Sequence, residues 1–368
     1  MIMAIICQNM KIECSNKDYS ISFTRFIAMI FIILCHILQY YKIELCWWFN
    51  VGVQVFFIIS GWLYFNRKFN SIQDVIKFYI KNALKLLTNY YVYISLLFLF
   101  FISIKKIPNG FMNLFDLSGT VSGLGHLWFI KYILICYLLV PIFTKIIKFC
   151  KKKRLNIFSI IFVPIIIALL CKQFNIIGAW INCFYFGMIL HAINEYNYQK
   201  YLTKIIYIIA IILNVVQIYL QYILNLDLLS IKNGHYLCEY AHAFLGLLCF
   251  YLLKHLYEHI IKDKISVNLL ELSDKYAYDV YLTHHIYILG TYSFFNNSSN
   301  IILNLIKLIL TICISTYILN QISLQIKNAL IRLLKIRTAV ERERVISLNA
   351  YKLNCKIYTN NLKYKQCA

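Results

Sequence analysis

The sequence is poor in charged residues, in acidic residues and in proline. Only 14% of its 368 residues are charged, 15 are acidic and three are proline. In soluble globular domains about a quarter of the residues are charged, so this shortage excludes an ordinary water-soluble fold, and the same numbers exclude intrinsic disorder. The sequence has instead 61% hydrophobic residues and a mean hydropathy of +0.66. These values are typical of a polytopic membrane protein.

Cysteine patterns that would mark a metal site or a disulfide scaffold are also missing. The 13 cysteines contain no Cys-x-x-Cys pair and no spacing typical of zinc ligands. Most lie inside apolar segments, where cysteine behaves as a small hydrophobic residue. Because their number is odd, we expect reduced thiols, and we expect no metal site.

Long apolar segments dominate what remains. A membrane-spanning helix needs about 20 mostly apolar residues. Ten segments meet this condition: about 23–42, 48–66, 86–104, 127–147, 155–171, 176–193, 203–223, 236–257, 274–294 and 301–325. Lipid-exposed strands would leave backbone groups unpaired, so we expect helices. The sequence therefore predicts an all-α polytopic membrane helix bundle of about ten transmembrane helices, between an N-terminal segment at 1–18 and a basic tail at 326–368.

The basic residues predict how the chain is oriented in the membrane. If the N-terminus is cytoplasmic, 30 of the 37 Lys and Arg lie on the cytoplasmic side, five lie in outer loops and two lie within spans. Basic residues collect in cytoplasmic loops, so we predict a multi-pass protein of the cell membrane with both termini cytoplasmic. The same bias explains the net charge of +22 without a nucleic-acid partner.

The two ends of the chain carry their own expectations. The apolar start at 1–7 is too short to span a membrane and lacks a basic region before it, so we do not expect a signal peptide. The tail at 326–368 has ten basic and two acidic residues. It is predicted to lie along the anionic inner leaflet as an amphipathic helix, at least to about residue 347.

Two ionisable residues in the first span are functional candidates, because charged groups inside a bilayer are expensive. Arg25 and His36 are eleven residues apart, about three helical turns, so both point to one face roughly 16 Å apart. Arginine binds phosphate through bidentate hydrogen bonds, and histidine abstracts protons near neutral pH. Two simpler interpretations remain open: Arg25 as a positive-inside anchor, and His36 as a histidine that hydrogen-bonds between helices.

Three further motifs follow this pair along the chain. FFIISG occupies residues 56–61, GHLWFI occupies 125–130 and YDVYLTH occupies 278–284. In this order, over about ten predicted spans, the chain resembles the acyltransferase-3 family of integral membrane O-acyltransferases. The resemblance covers residues 19–325. Each motif alone is a modest signal, whereas their order and spacing together are specific.

Members of that family take an acyl group, usually acetyl, from cytoplasmic acyl-CoA and pass it to a hydroxyl on a glycan or small molecule. The resemblance implies that His36 is the essential first-span histidine and Arg25 its partner arginine. Arg25 would orient the phosphates of the donor, and His36 would act as a base or an acyl relay. Lys77, Lys81 and Lys85 are expected to supply a basic rim for the negatively charged donor.

The chain departs from the family pattern in two places. Many relatives have an Arg-x-x-Arg sequence followed by proline after the second span, where this chain has Asn82, Lys85 and Thr88. Lys85 keeps a charge but lacks the planar guanidinium, so CoA binding at this segment is left open. His284 matches the histidine of the family's Tyr-Leu-x-His signature, and His285 stands where relatives often have proline.

Five residues are predicted to contact a substrate. Glu239 and His242 are three residues apart on one helix face, and we expect them to bind the acceptor rather than a metal, because a di-metal bundle needs more carboxylates. His126 either contacts the acceptor or lies at the membrane interface. Tyr281 and His284 share a helix face and are expected to position acceptor or donor.

Three other polar or small residues within the predicted spans receive no catalytic role. Asp279 is expected to balance a nearby lysine. Ser60 and Gly61 are expected to let two helices approach closely, and Ser60 has no activating neighbour in sequence that would make it a nucleophile.

The sequence therefore predicts acyl-CoA-dependent O-acylation of a sugar, a glycan or a lipid-linked glycan, with membrane lipid as the surrounding partner. The alternative is a polysaccharide or small-molecule transporter. Transporters often show repeats and spans interrupted by Gly or Pro, and neither is visible here. A catalytically inactive sensor on the same scaffold is a third interpretation, which the retention of Arg25, His36 and His284 disfavours.

Overall fold

The structure is a computed structural model that describes residues 17–117, 121–153, 155, 158–194, 199–228, 230–231, 234–296 and 300–365. These residues form helices and no strand. The helices are α1 (Tyr19–Tyr40), α2 (Cys46–Phe49), α3 (Val51–Tyr64), α4 (Ile72–Ser103), α5 (Trp128–Lys152), α6 (Val163–Gln173), α7 (Gly178–Asn194), α8 (Gln199–Ile218), α9 (Gly234–Leu256), α10 (Val267–Ile288) and α11 (Ile301–Lys365).

Short irregular turns extend several of these helices. A 3-10 turn at Gly125–Leu127 leads into α5, and a π-helical turn at Phe158–Phe162 leads into α6. Two more π turns, Tyr219–Ile223 and Tyr257–Ile261, continue α8 and α9. The irregular turns therefore sit at helix ends, where the intrahelical hydrogen bonds run out.

Side-chain caps fix the starts of two long helices. The Asp18 carboxylate accepts a hydrogen bond from the Ser20 backbone N–H and begins α1. Ser71 and Asp74 form a capping box that begins α4. A capped start satisfies backbone donors that the helix itself leaves unpaired, so the beginnings of α1 and α4 are encoded locally.

The all-α bundle predicted from the sequence is confirmed, whereas the count of ten spans is not. Each of the ten predicted segments overlaps a helix, but among the described residues seven stretches qualify as membrane spans by length and composition: Tyr19–Tyr40, Cys46–Tyr64, Ile72–Ser103, Gly125–Lys152, Lys204–Ile223, Gly234–Ile261 and Ile301–Leu333. Two shorter apolar helices cover 158–173 and 178–193. Helix α10 does not qualify, because it carries the charged residues Glu271, Asp274, Lys275 and Asp279.

Helix α3 lies at the centre of the bundle and packs against α1, α7 and α9. Its approach to α7 is very close, because each helix has a glycine at the crossing. A Cβ on Gly61 would lie 1.9 Å from the carbonyl oxygen of Phe184, and a Cβ on Gly187 would lie 2.1 Å from that of Ile58. The expectation that Gly61 permits close helix approach is therefore confirmed.

Helices α1 and α10 lie side by side and run in the same direction. Tyr19 on α1 donates a hydrogen bond to Glu271 at the start of α10. Seventeen residues later along α1, His36 contacts His284 and His285 near the end of α10. Since the contacts advance together along both helices, each end of α1 is paired with the same end of α10.

The chain divides into two units, residues 18–320 and the remaining residues 1–17 with 321–368. The first unit contains helices α1 to α10 and the beginning of α11. In the second unit the backbone of α11 continues as a helix to Lys365, which covers the predicted helical part of the tail. Its placement on a membrane surface stays a prediction.

Candidate active site

Four histidine rings from three helices meet at one end of the α1–α10 pair. His36 comes from α1, His126 from the turn that leads into α5, and His284 and His285 from α10. The ring centroids are 4.4 Å apart for His36 and His285, 4.5 Å for His126 and His285, 5.1 Å for His126 and His284, and 5.3 Å for His36 and His284. We call these four residues the histidine cluster.

Backbone carbonyl groups determine which nitrogen carries the proton in three of these rings. The Nε2 atom of His126 lies 3.1 Å from the Leu282 carbonyl oxygen, and the Nδ1 atom of His285 lies 2.8 Å from that of Gly123. The Nδ1 atom of His284 faces carbonyl groups in its own helix. A carbonyl can only accept, so each of these nitrogens is the N–H donor, and in the neutral ring the other nitrogen keeps a lone pair.

Two of those lone-pair nitrogens, Nδ1 of His126 and Nε2 of His284, are buried and have no hydrogen-bond partner among the described residues. Buried polar atoms are normally hydrogen-bonded, so an unpartnered one asks for a functional explanation. Both nitrogens belong to the same cluster of rings. The cluster can therefore accept protons or hydrogen bonds that the folded chain itself does not supply.

His36 is the accessible member of the cluster. Its ring is half-buried, while His126, His284 and His285 are buried. Its Nδ1 atom lies 3.1 Å from Oε1 of Gln39, one turn along α1. When Nδ1–H donates to that oxygen, Nε2 is left as a base. Among the four histidines, His36 is thus the one placed to meet a substrate.

Tyr281 is brought to the cluster, but its hydroxyl group is already used. The hydroxyl donates to the backbone carbonyl of His126, and the ring packs against those of His126 and Phe129. Tyr281 therefore supports His126, and its predicted role in positioning the acceptor or the donor stays a prediction.

Arg25 lies toward the opposite end of α1, about 16 Å from His36 by helical rise. Its guanidinium forms an ion pair with the carboxylate of Asp274 on α10, and the two side chains are 20% and 12% exposed. The hydroxyl of Ser22 donates to the second oxygen of Asp274 at 2.6 Å. Arg25 is therefore held in place by the neighbouring helix and stays partly exposed at the surface of the bundle.

The lysines predicted to bind the donor lie on the surface of α4. Lys81 and Lys85 are exposed and four residues apart, which places them on one face of the helix. Asn82 between them points inward, where it accepts a hydrogen bond from the Tyr64 hydroxyl and donates to the Phe78 carbonyl at 2.8 Å. The altered family motif therefore contributes a packing contact at residue 82 and a charge at residue 85.

Glu239 and His242 on α9 are not part of the histidine cluster. The His242 ring is buried, stacks on Trp47 with centroids 4.6 Å apart, and lies 3.4 Å from the Gln54 amide nitrogen. Glu239 is half-buried. The two predicted acceptor contacts therefore have different surroundings despite their shared helix face. In the described part of the chain, no three His, Cys, Asp or Glu side chains, those of the histidine cluster included, are arranged so that they could hold a metal ion.

The environment of Asp279 corrects the expectation that a lysine balances it. This carboxylate is 1% exposed and accepts hydrogen bonds from the side-chain amides of Asn89 on α4 and Asn320 on α11, the latter at 2.7 Å. Two neutral amides solvate the group where a lysine was expected. The three side chains join α4, α10 and α11 inside the bundle.

We expect Asp279→Ala to destabilise the protein, because it removes the acceptor of the half-buried side-chain amides of Asn89 and Asn320. Each unsatisfied group costs about 1–3 kcal/mol. Asp279→Asn keeps an acceptor oxygen and should therefore lose less stability than Asp279→Ala. Thermal unfolding in detergent, followed by tryptophan fluorescence, measures both. The exposed Asp263→Ala is the control, and equal melting temperatures for Asp263→Ala and Asp279→Ala would contradict the expectation.

Sequence reasoning missed His285 and Asp274 as members of the site. His285 was noted only as a departure from the family pattern. Residues that are adjacent in a helix point about 100° apart, so the sequence did not indicate that His284 and His285 would lie in one site. In the structure every residue from 281 to 286 is buried, so His284 and His285 both lie inside the bundle. Asp274 carried no sequence signal, because its partner Arg25 is 249 residues away.

Comparison with known protein families identifies the family of this chain. The family model described as an acyltransferase domain, of the acyltransferase-3 family, matches residues 18–320 of the 368-residue chain. No curated protein and no solved structure matches the chain. The matched range contains both Arg25 and the whole histidine cluster.

Proposed function

Because the chain belongs to the acyltransferase-3 family of membrane acyltransferases, we propose that it moves an acetyl group from cytoplasmic acetyl-CoA to a hydroxyl of a sugar, a glycan or a lipid-linked glycan. The observation that carries this proposal is the arrangement of α1, with a fixed cation near one end and an accessible base near the other. Arg25 and His36 are the two groups, and α10 supports both of them.

This separation suits an acyl-CoA donor. Acyl-CoA carries its phosphates at one end and its thioester at the end of a long, uncharged arm. A guanidinium binds phosphate whatever the pH, because arginine stays charged. With the phosphates at Arg25, Lys81 and Lys85, the arm extends along α1 toward His36. The length and amphipathic character of the donor then match the charged and neutral parts of the site.

The transfer step uses His36 as the base. The hydroxyl group of the acceptor gives its proton to Nε2 of His36, and its oxygen attacks the thioester carbonyl. The new C–O bond forms, the C–S bond breaks, and the proton passes from His36 to the departing CoA thiolate. No other reactant is needed, and the product is an ester with free CoA. Excluding water from this end of the bundle would protect the thioester from hydrolysis.

The acceptor would approach the cluster at the end of α1 opposite Arg25. The half-exposed ring of His36 offers Nε2 as the acceptor for a hydroxyl group of a sugar, and the unpartnered nitrogens of His126 and His284, which are buried, can accept a hydrogen bond only from a group that enters the cluster. Under the predicted orientation, with both termini cytoplasmic, donor and acceptor meet from opposite sides of the cell membrane. His242 and Glu239 stay candidates for a more distant part of the acceptor.

The test uses purified protein in lipid nanodiscs with radiolabelled acetyl-CoA and a native glycan extract. We expect time-dependent release of free CoA together with label in a polymeric or lipid-linked glycan, and neither in empty nanodiscs. If label never leaves acetyl-CoA, while reconstituted vesicles move the glycan across the membrane, the transporter interpretation replaces the enzyme.

A further inference from the structure

Asp274 binds helix α1 through both of its carboxylate oxygens. One oxygen pairs with Nη1 of Arg25, and the other accepts the hydroxyl proton of Ser22 at 2.6 Å. Ser22 and Arg25 are three residues apart and thus lie on one face of α1. The carboxylate is therefore held in a defined orientation toward the guanidinium, with a side-chain exposure of only 12%.

A guanidinium has five N–H groups in one plane. Asp274 uses an N–H group at Nη1, and Arg25 has no further hydrogen-bond or ion-pair partner among the described residues. The remaining donors lie in a plane whose direction the carboxylate sets. An arginine side chain in water samples many rotamers, so fixing this plane in advance lowers the entropy lost when a phosphate binds.

Asp274 is not needed simply to hold α1 against α10. One turn earlier, the hydroxyl of Tyr19 on α1 donates to Glu271 on α10 at 2.8 Å. This contact joins the same two helices at the same end without touching Arg25. At this end of the α1–α10 pair, the contact of Tyr19 with Glu271 therefore connects the helices without Arg25, whereas the contact through Asp274 also orients the cation.

We propose that Asp274 is a positioning residue for the donor site, which orients the guanidinium of Arg25 toward the phosphates of acyl-CoA. This inference rests on the proposed function, because it needs an anionic donor at Arg25. It assigns a role in acyl transfer to a carboxylate that itself touches no substrate. Its removal should weaken donor binding and leave the acceptor and the chemical step largely unchanged.

The experiment measures the dissociation constant of labelled acetyl-CoA for the full chain in nanodiscs, together with KM for donor and acceptor. Asp274→Asn should weaken donor binding about tenfold, with little change in kcat or in the acceptor KM. A donor KM that rises while kcat is unchanged shows that binding was lost equally in the ground state and the transition state. Ser22→Ala loosens the same carboxylate without removing charge and should weaken donor binding about threefold. Tyr19→Phe is the matched control and should bind the donor as wild type does.

The outcomes separate the two proposals. Donor affinity unchanged in Asp274→Asn and Ser22→Ala would overturn the positioning role and leave the enzyme. So would equal weakening in Tyr19→Phe, because it would show that any α1–α10 contact suffices. Wild type that binds acetyl-CoA with an affinity that falls in Asp274→Asn, but that releases no CoA, would support the inference and overturn the proposed function. Wild type without donor binding would overturn both. If Asp274→Asn does not fold, Ser22→Ala decides.

Discussion

Replacing His36 with alanine should lower acyl transfer by about 100-fold to 10,000-fold, the range that a positioned general base contributes. No neighbouring ring takes its place, because His126, His284 and His285 are buried while His36 is half-exposed. The half-buried position also means that the substitution removes few packing contacts. The folded yield and the affinity for acetyl-CoA should stay near those of wild type. Release of CoA in nanodiscs measures the effect.

A histidine elsewhere on the molecule provides the control. His259 is exposed and its ring lies against that of His255, 4.2 Å away between centroids. His259→Ala removes an imidazole from an exposed position outside the histidine cluster and should keep full activity. Turnover by His36→Ala equal to that of His259→Ala would keep the enzyme and discard His36 as its base.

Introducing methyl groups at the α3–α7 crossing should destabilise the bundle more than any surface change. In the double variant Gly61→Ala with Gly187→Ala, the new carbons would lie 1.9 Å and 2.1 Å from the backbone oxygens of Phe184 and Ile58. Backbone atoms cannot rotate away as side chains can, so the helices must separate. Overpacking costs about 1–3 kcal/mol per site, and we expect about 3 kcal/mol or more for the pair.

The melting temperature in detergent checks this expectation, with Gly125→Ala as the matched control. A Cβ on Gly125 meets no atom within 4 Å, so this variant should melt close to wild type. Because α3 packs against α1 as well as α7, the double variant should also lose activity. A double variant that melts with the Gly125→Ala control would show that the crossing is looser than the structure describes.

Local patterns in the sequence predicted much of the architecture. Each apolar segment of span length overlaps a helix of the structure. Length and apolar character are informative because a helix that crosses lipid needs a minimum hydrophobic length and a backbone that is hydrogen-bonded internally. The apolar segment at 274–294 predicted a span that overlaps α10, although the charged residues of this helix disqualify it as a simple span. Asp274 and Asp279 are tolerated there because side chains on other helices pair with them, namely Arg25 for Asp274, and Asn89 and Asn320 for Asp279, and a hydropathy window does not register such pairs.

The candidate site was predictable where two residues share a helix, and not where they come from distant segments. Arg25 and His36 could be placed on one face of α1 from spacing alone. The pairing of Arg25 with Asp274, and of Asp279 with Asn89 and Asn320, depends on contacts across 41 to 249 residues. For Asp279 the expected lysine partner was wrong, because charge balance was assumed where amide hydrogen bonds solvate the carboxylate.

By itself the sequence determined that this protein is a helical membrane bundle, which helices carry its ionisable groups, and which family it resembles. These properties follow from composition, helical period and motif order, all of which are local in the chain. Only the tertiary structure decided that His126, His284 and His285 surround His36, and which nitrogen of each buried ring is left without a proton. That outcome depends on how three helices pack and on which carbonyl groups they bring to each ring. Packing between distant segments is settled by the whole bundle rather than by any one stretch of residues.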